Sequence, residues 1–498
     1  MNFRIKGITV LFLLLSFLII CKIISFYFPL ESDAANSPVV WQEFLEHGFS
    51  AFSSWRPTPD NWYFTIYPVS FFIFWLFGSN GIVPLIITTS FFTWLVAACM
   101  FCTAMMMTKS KWSYVALLML TLLSAYTYTN GFVAHPFSHY STAAFGALSA
   151  TLVFYAYNYS KPSIYYASAL FSLLGSLGDP WYLPTFFLPI IIGIGFISLT
   201  EKKNYAPLVL NIAVFVLSFS GVIQKALNLP TEPFKITTIE QMGVNVHHAV
   251  MASGGMLNLF FSFADWARMA SFIVCATIFI WGIFVCFKEG GVSRLIAVVA
   301  LFSIAGIYSS YILSYAYTGD VTARFFLNVV TFFAPVVVAA TCFKKSKIAA
   351  VLIGLFILSS AWSYTTITKP VMDHRNDTYD FIKFLNEHNL SFGYSNNAHL
   401  STTVNWLSRK EIQILQIYQD GKNGKINFKR VRSQSFASWH EPKFINKQPA
   451  RQFISVSPRT CGNMDVCVDA IRKDIGEPDE ILTFKVNKIL VYNNRINF

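Results

Sequence analysis

Two aspartates stand in polar segments that are rich in aromatic side chains. Asp60 belongs to the segment RPTPDNWY at 56–63, and Asp179 belongs to GDPW at 178–181. Prolines stiffen a loop, aromatic rings can stack on a sugar or anchor at a membrane surface, and a fixed carboxylate can deprotonate an acceptor hydroxyl. The two segments therefore predict acid–base chemistry, with Trp62, Tyr63 and Trp181 as candidate sugar or acceptor contacts.

Each aspartate also has a simpler interpretation. Asp60 could be a solvated loop residue whose aromatic neighbours only mark the membrane surface, and Gly-Asp-Pro is a common turn sequence. An acid so close to the hydrocarbon edge is nevertheless costly unless it faces a polar cavity, which keeps a site role for Asp179 open. Other acids between the first apolar stretch and Asp60 compete for the role of base: Glu31, Asp33, Glu43 and Glu46.

Basic side chains are found where a membrane protein usually has few. Segments that face away from the cytoplasm are poor in Lys and Arg, yet the segments assigned to that side hold Arg56, Lys225, Arg268 and Arg324. Arginine binds phosphate through a bidentate pair of hydrogen bonds, so these cations are candidates for holding a lipid phosphate. The alternative for Arg324 is that it snorkels to ordinary lipid headgroups.

The histidines are weaker candidates for a metal site. His135 and His139 have the spacing of two ligands on one helix face, but Pro136 interrupts that helix, and the adjacent His247 and His248 point apart. We assign no metal ligand, leave a divalent metal open, and keep His139 as a candidate sugar or acceptor contact. The chain has no Walker A motif, no dinucleotide-binding glycine pattern and no zinc-ribbon spacing.

A membrane-embedded array of helices must position these residues. The 498-residue chain is 54% hydrophobic and only 12% charged, against about 25% charged residues in soluble proteins. About eleven apolar stretches approach the ~20 residues that cross a bilayer. They cover 8–29, 82–107, 113–133, 140–158, 163–178, 182–199, 205–223, 267–287, 295–315, 325–342 and 348–367.

The charges between the stretches predict the orientation. One set of gaps is short and basic, as at Lys109 and Lys111 or at Lys202 and Lys203, and such loops stay in the cytoplasm. The N-terminus is then inside and the C-terminus outside. The first apolar run is longer than the core of a signal peptide, which favours an uncleaved helix over that alternative. The net charge of +12 follows largely from this pattern and predicts no nucleic-acid partner.

We therefore predict a polytopic α-helical membrane protein with a C-terminal α/β domain on the outer face. The membrane domain covers 1–369, with outer loops at 31–81 and 224–268, and the polar domain covers 370–498. Within the polar domain, residues 379–388 have the pattern of an amphipathic helix. Alternating apolar and polar residues at 412–417, 453–456 and 481–486 predict strands. Cys461 and Cys467 lie in this domain, and an oxidising compartment favours a disulfide between them, with free thiols as the alternative.

The order of these features resembles the GT-C superfamily of polyprenyl-phosphate-sugar glycosyltransferases. The similarity covers nearly the whole chain: a first span, a long outer loop with an acid among aromatics, short-looped spans and an outer α/β domain. Within the superfamily, the chain looks most like the bacterial Gtr-type glucosyltransferases that decorate O-antigen. The short motifs that carry the resemblance are 56–63, 178–181, Phe384-Leu385, Gly393-Tyr394 and Leu407-Ser408.

The resemblance implies an inverting enzyme of EC class 2.4. It would move a sugar, glucose in the Gtr type, from undecaprenyl phosphate to lipid-linked O-antigen or another cell-surface glycan, as in lipopolysaccharide modification and serotype conversion. Asp60 would be the base and Asp179 a second acid that orients acceptor or sugar. The superfamily also places an acid soon after the first span, which Asp33 fits. The lipid phosphate would be held by Arg324, Arg56 and Lys225.

The same resemblance implies a location and partners. The protein would be a multi-pass protein of the bacterial inner membrane with a periplasmic C-terminal domain. A donor synthase and a flippase would supply the lipid-linked donor, and no cofactor is required beyond a divalent metal that stays open. Three other functions remain alternatives: a lipid-linked-sugar transporter, an O-antigen polymerase or ligase, and a non-catalytic scaffold.

Overall fold

The computed structural model describes residues 3–136, 139–203, 205–231, 234–315, 320–371, 373–420, 422–428 and 430–496. The described chain is mostly helical. Its α-helices are α1 Phe3–Tyr27, α2 Ser32–His47, α3 Ser50–Ser54, α4 Ile66–Phe77, α5 Ile82–Thr108, α6 Ser113–Thr121, α7 Ala125–Thr127, α8 His139–Asn158, α9 Ser163–Gly178, α10 Leu188–Glu201, α11 Tyr205–Phe219, α12 Val222–Ala226, α13 Ile239–Met256, α14 Asp265–Glu289, α15 Gly291–Ser314, α16 Leu327–Lys344, α17 Lys347–Thr366, α18 Arg375–Glu387, α19 Ala398–Leu407, α20 Pro442–Ile445 and α21 Met464–Ile475. Two π-helical turns, Tyr128–Phe132 and Leu183–Phe187, and two 3-10 segments, Asp320–Phe326 and Ala437–His440, adjoin them.

Many of these helices are long and apolar enough to cross a membrane. Within the described ranges seven qualify by length and composition, and the pair Ser113–Thr121 and Ala125–Phe132 qualifies together but is bent by 64°. The seven are Gly7–Tyr27, Ile82–Thr108, Leu183–Glu201, Asp265–Glu289, Gly291–Ser314, Thr322–Lys344 and Lys347–Thr366. Such a set supports a multi-pass membrane protein. Each predicted apolar stretch contains a helix. The number of helices that cross the membrane and the orientation of the chain in it stay predictions.

Two segments differ from the simplest expectation. The stretch 113–133 is not one straight helix, because Ser124 Oγ accepts the backbone N–H of Thr127 at 3.2 Å and starts a new helix there. The long gap at 224–268 is not irregular throughout. It contains α13, which begins where Thr238 Oγ1 accepts the backbone N–H of Gln241 at 3.2 Å.

The chain folds into two compact units. The first comprises Met1–Phe28, Pro59–Ile73 and Val83–Val371, and the second comprises Pro29–Thr58, Phe74–Ile82 and Met372–Phe498. The predicted polar domain 370–498 thus contributes most of the second unit, and two earlier segments of the chain join it. The boundary at residue 369 remains a prediction about domains.

The second unit is built on a five-stranded sheet. The strands of the unit are β1 Trp55–Arg56, β2 Phe392–Ser395, β3 Gln413–Gln416, β4 Tyr418–Gln419, β5 Ile426–Asn427, β6 Ser435–Phe436, β7 Gln452–Val456, β8 Glu480–Phe484 and β9 Asn487–Tyr492. The main sheet has the order β3-β2-β7-β9-β8; β3, β2 and β7 are parallel, and β9 is antiparallel to both β7 and β8. The pairs β1-β6 and β4-β5 form two-stranded ladders.

Apolar side chains from α18 and the sheet form the core of this unit. Phe381 and Leu385 of α18 are buried against Phe453 of β7 and Val491 of β9. Every residue of β2, β3 and β7 is buried, which is typical of parallel strands that are covered on both faces. This packing explains why β2, with glycine and serine among its four residues, forms an inner strand.

Helices α8, α9 and α10 form a tightly packed turn region in the first unit. A Cβ at Gly175 of α9 would lie 2.5 Å from Tyr182 Cε2, so only glycine allows the approach of this ring. The Tyr182 hydroxyl is hydrogen-bonded to Ser149 Oγ of α8 at 2.8 Å. Tyr182 therefore ties the start of the third helix to the first two, and it fixes the turn that carries Asp179.

Candidate functional site

A buried polar cluster surrounds Asp179 in the first unit. His139 Nδ1 lies 2.7 Å from Asp179 Oδ2, and the Thr142 hydroxyl donates a second hydrogen bond to the same oxygen. The backbone N–H of Trp181 donates to Asp179 Oδ1 at 2.9 Å. Asp179 and His139 are only 4% and 7% exposed, so their charges and hydrogen bonds are largely shielded from water. The structure thus brings His139 together with Asp179 and Trp181, which were selected from a different segment of the sequence.

The local sequence explains the position of Asp179. Helix α9 ends at Gly178 because Asp179 adopts an extended conformation (φ −147°, ψ 120°), which is the conformation favoured before proline. Asp179 keeps a turn role as well, since its carbonyl accepts the backbone N–H of Tyr182 at 3.0 Å. The turn interpretation and the site interpretation are therefore compatible.

The surroundings keep Asp179 ionised. Burial alone would raise the pKa of this carboxyl, because a charge is costly away from water. The charge and hydrogen bond of His139, the hydroxyl of Thr142 and the N–H of Trp181 outweigh burial and hold the pKa of Asp179 below its ordinary value. A carboxylate with these donors on both oxygens is a weak base, but it can fix the orientation of a histidine.

An aromatic side chain links this cluster to Arg324. The ring of Phe325 lies 4.2 Å from the His139 ring and 4.9 Å from the Trp181 ring, measured between centroids. It also contacts Tyr315 at 4.8 Å. Phe325 directly follows Arg324 in the 3-10 segment Asp320–Phe326. The backbone of that segment therefore places Arg324 next to the side chains around Asp179.

Arg324 carries an unused hydrogen-bond donor. Its Nε atom is buried and has no hydrogen-bond partner among the described residues, and its guanidinium carbon lies 5.2 Å from the Phe325 ring centroid. A buried donor without a partner costs on the order of 1–3 kcal/mol. An anionic ligand that accepted a hydrogen bond here would recover that cost.

The segment that contains Asp60 packs beside the same turn. Asn61 is buried, and its side-chain N–H donates to the carbonyl of Leu177 at 2.7 Å. A Cβ at Gly178 would lie 3.0 Å from Thr65 Cγ2. Asp60 is half-buried and directly precedes Asn61. The two predicted acids therefore belong to neighbouring segments of one unit. The hydrogen bond that joins these segments runs from Asn61, next to Asp60, to Leu177, two residues before Asp179.

The aromatic residues after Asp60 are partly structural. Trp62 is 3% exposed, and its ring lies 6.3 Å from that of Tyr67 in α4. Tyr63 is half-buried and lies 5.5 Å from the same ring. Of the two, Tyr63 has more surface available for a sugar ring, while Trp62 holds the loop on the helix that follows.

Three more predicted residues belong to other segments of the chain. Lys225 is exposed on the short helix α12. Asp33 and Arg56 belong to the second unit, where Gln434 joins them: its side chain donates to Asp33 Oδ1 at 2.6 Å, and its backbone N–H donates to the carbonyl of Arg56 at 2.6 Å. Their roles toward a lipid phosphate or an acceptor stay predictions.

Cys461 and Cys467 are bonded to each other in the second unit, with Cα atoms 6.3 Å apart. Both are fully buried. The bond closes the short turn that leads into α21.

Sequence reasoning missed two contributors to the cluster. Thr142 lies three residues after His139 on α8, so both point to the same face of that helix; this spacing was a usable signal. No sequence signal pointed to Phe325, because a phenylalanine at the start of an apolar stretch resembles any other membrane-helix residue. Its contacts with His139 and Trp181 depend on tertiary packing alone.

Comparison with solved structures assigns the fold. Over 98% of both chains, the protein is similar to ArnT from Cupriavidus metallidurans in the apo state (TM-score 0.59, 10% identity). The same coverage holds for ArnT bound to undecaprenyl phosphate (TM-score 0.57, 12% identity). The chain has the fold of ArnT. It is also similar, over 92% of this chain and 70% of the other, to the oligosaccharyltransferase AglB from Archaeoglobus fulgidus in complex with an inhibitory peptide and a dolichol-phosphate (TM-score 0.54, 11% identity).

At 10–12% identity these likenesses establish the fold alone. Membership of the GT-C superfamily and the Gtr subtype stay predictions. Neither a protein-family model nor a curated protein sequence matches the chain.

Proposed function

We propose that this protein is an inverting glycosyltransferase that takes its sugar from a polyprenyl phosphate. The observation that carries the proposal is the likeness over 98% of both chains to ArnT bound to undecaprenyl phosphate. The buried cluster of Asp179, His139 and Thr142 supplies the kinds of groups that such a reaction needs. Arg324 Nε, which has no hydrogen-bond partner among the described residues, supplies a donor.

In the proposed reaction, an acceptor hydroxyl attacks the anomeric carbon of the lipid-linked sugar. The new bond joins the acceptor oxygen to that carbon, and the bond from the carbon to the phosphate oxygen breaks with inversion. The proton of the hydroxyl passes to a carboxylate, and the polyprenyl phosphate leaves with the bonding electrons. The lipid brings its own leaving group, so no nucleotide takes part in the transfer.

Asp60 is the proposed base. Asp179 is a poor candidate for that role, because three donors occupy its oxygens and hold its pKa low. Asp60 lies in the adjacent segment, is half-buried and can be reached by solvent. Asp33 remains the second candidate, because the superfamily resemblance places an acid soon after the first span and Asp33 fits that position.

Asp179 would act through His139. If His139 donates its Nδ1 hydrogen to Asp179, its Nε2 is left to contact a hydroxyl of the sugar or the acceptor. Trp181 and Tyr63 would offer ring faces to the sugar, and Arg324 would donate to the leaving phosphate, with Arg56 and Lys225 as further candidates for that task. A charge-assisted bond to phosphate is stronger than one between neutral groups, which suits a group whose charge grows as the bond breaks.

The finer parts of the proposal follow the sequence resemblance. The sugar is glucose, the donor is undecaprenyl-phosphate glucose, and the acceptor is lipid-linked O-antigen or another surface glycan. The reaction takes place on the periplasmic face of a bacterial inner membrane, with a donor synthase and a flippase as partners.

Sugar transfer by the purified full-length protein tests the proposal. The protein in nanodiscs would receive radiolabelled polyprenyl-phosphate glucose and an O-antigen lipid, with and without EDTA, and product would be separated by extraction. Wild type should transfer label. Asp60→Asn should lower kcat by about 10²–10⁴-fold, the usual contribution of a general base, while the matched change Asp265→Asn, at an exposed acid of the same unit, should have little effect.

Each other outcome is informative. Full transfer by Asp60→Asn would keep the reaction class and move the base to Asp33. Transfer from a soluble sugar nucleotide without lipid, or no transfer from any polyprenyl-phosphate sugar, would contradict the proposal. Loss of transfer with EDTA that Mg²⁺ or Mn²⁺ restores would add a divalent metal to it.

A further inference from the structure

A groove lined by charged, amide and aromatic side chains lies in the second unit. It has a volume of about 870 Å³ and lies beside the ladder formed by β4 and β5, in which Tyr418 pairs with Asn427. The lining residues are Tyr418, Gln419, Asp420, Asn423, Lys425, Ile426, Asn427, Phe428 and Arg430. None of them belongs to the cluster around Asp179, and the proposed transfer step uses none of them.

Cationic side chains outnumber carboxylates in the described lining of the groove, where Lys425 and Arg430 stand against Asp420. The guanidinium carbons of Arg430 and Arg432 lie 4.0 Å and 5.0 Å from the ring centroid of Tyr418. Neither arginine forms an ion pair within the described ranges, and the same holds for Lys425. The one acid in the lining, Asp420, already accepts the backbone N–H of Lys422 at 2.8 Å.

The neutral side chains of the groove also offer donors. Asn423 Oδ1 accepts the backbone N–H of Lys425 at 2.9 Å, and Asn427 Oδ1 accepts that of Arg430 at 3.1 Å. With their oxygens occupied, the two amides have their NH₂ groups left for a ligand. Cations and amide donors together favour an anionic oxygen group, and the rings of Tyr418 and Phe428 favour a sugar.

The backbone beneath the groove is fixed before any ligand binds. Gln419 donates through Nε2 to the carbonyls of Gly424 at 2.9 Å and Cys467 at 3.3 Å. Asn396 donates to Gln419 Oε1 at 2.8 Å, and its carbonyl accepts from Arg432 Nη1 at 3.2 Å. The turn between β4 and β5 thus rests on the disulfide-bonded start of α21, and Arg432 is held in place by the same asparagine. Such preorganisation lowers the entropic cost of binding.

We propose that this groove binds an anionic saccharide, one that carries a carboxylate or a phosphate group. The identification of that saccharide as part of the acceptor glycan rests on the proposed function, whereas the binding itself does not. The anionic group lies against Lys425 and Arg430, and a sugar ring lies against Tyr418 or Phe428. The disulfide keeps the floor of the groove rigid.

Equilibrium binding to the full-length protein in detergent tests this without any donor lipid. The probes are a glucuronic-acid-containing oligosaccharide, glucose 1-phosphate, and the matched neutral glucose oligosaccharide. Their binding is followed by saturation-transfer NMR and by isothermal titration calorimetry. At least one anionic probe should bind about tenfold more tightly than the neutral one, because a hydrogen bond to a charged group contributes most of that difference. Its affinity should fall with salt.

Variants assign the binding to the groove. Arg430→Gln and Lys425→Gln should each weaken the anionic probe by about tenfold, whereas Lys447→Gln, at an exposed lysine of the same unit outside the groove, should not. Cys467→Ser should weaken it as well while thermal unfolding shows a folded protein, since the floor of the groove loses its covalent anchor.

Several results would overturn the inference. The inference fails if the neutral and anionic probes bind with equal affinity, or if neither anionic probe binds. It also fails if Lys425→Gln and Lys447→Gln lose the same amount of affinity for the anionic probe. The two anionic probes tell a carboxylate from a phosphate ligand. Since no sugar is transferred in this experiment, failure of the proposed transferase reaction would leave the binding result standing, and failure of binding would leave the transferase reaction standing.

Discussion

At the scale of single residues, the pairing of Asp179 with His139 is the most specific feature of the first unit. Both side chains are buried, and they lie 2.7 Å apart. Breaking a buried pair by removing one partner leaves the other uncompensated, which usually costs more than losing both partners. The pair should therefore behave as one unit in mutagenesis.

A double-mutant cycle tests this. Asp179→Asn should lower the free energy of unfolding by about 3–5 kcal/mol and reduce transfer strongly, and His139→Gln should do the same. The double variant should lose less stability than the sum of the single losses, as measured by chemical denaturation in detergent. Additive losses would mean that the two side chains act independently.

The stability that Asp179 contributes should also depend on pH. Its pKa is lower in the folded chain than the ordinary 3.8, so the ionised carboxylate stabilises the fold above that value. The contribution is lost as the pH falls through the lowered pKa. The difference in thermal stability between wild type and Asp179→Asn should shrink as the pH falls below 3.8. A difference that grew on acidification would contradict the assignment.

At the scale of elements, the turn from α9 to α10 positions the cluster. Its geometry depends on Gly175, which lets the Tyr182 ring lie against α9. The ring in turn binds Ser149 of α8. Any side chain at position 175 must displace a fully buried ring, and the displacement reaches Asp179 because only two residues separate it from Tyr182.

Gly175→Ala should destabilise the protein by about 1–3 kcal/mol through overpacking and should lower sugar transfer. Gly354→Ala is the matched control: it also lies in a helix, but nothing lies within 4 Å of its added Cβ. Alanine is favoured over glycine in helices, so this control should be neutral or stabilising. Thermal unfolding and transfer assays on both variants give the comparison, and equal behaviour would argue against a tight turn.

At the scale of the whole molecule, the charge pattern predicts the orientation in the membrane. Single cysteines would be introduced into a chain whose six free cysteines are replaced by serine, and intact cells would be treated with an impermeant maleimide. Lys225→Cys and Asp265→Cys should be labelled from outside. Lys109→Cys and Lys345→Cys should react only after the membrane is opened, because basic loops stay inside. The opposite pattern would reverse the predicted topology.

The membrane class, the positions of the apolar helices and the polar C-terminal region could be predicted from the sequence alone. Apolar stretches of bilayer length and short basic loops are properties of local composition, so one chain read from end to end is enough to locate them. It also selected Asp60, Asp179, His139 and Arg324 by residue type and by their polar surroundings between apolar stretches.

Tertiary structure decided which of these residues meet. Asp179 and His139 are forty positions apart, and their pairing depends on how α8 packs against the end of α9. The contacts of Phe325 with His139 and Trp181 and the assignment of Asp33 and Arg56 to the second unit are likewise products of long-range packing. A single sequence records which side chains are present, while the distances between them are set by contacts that no local pattern encodes.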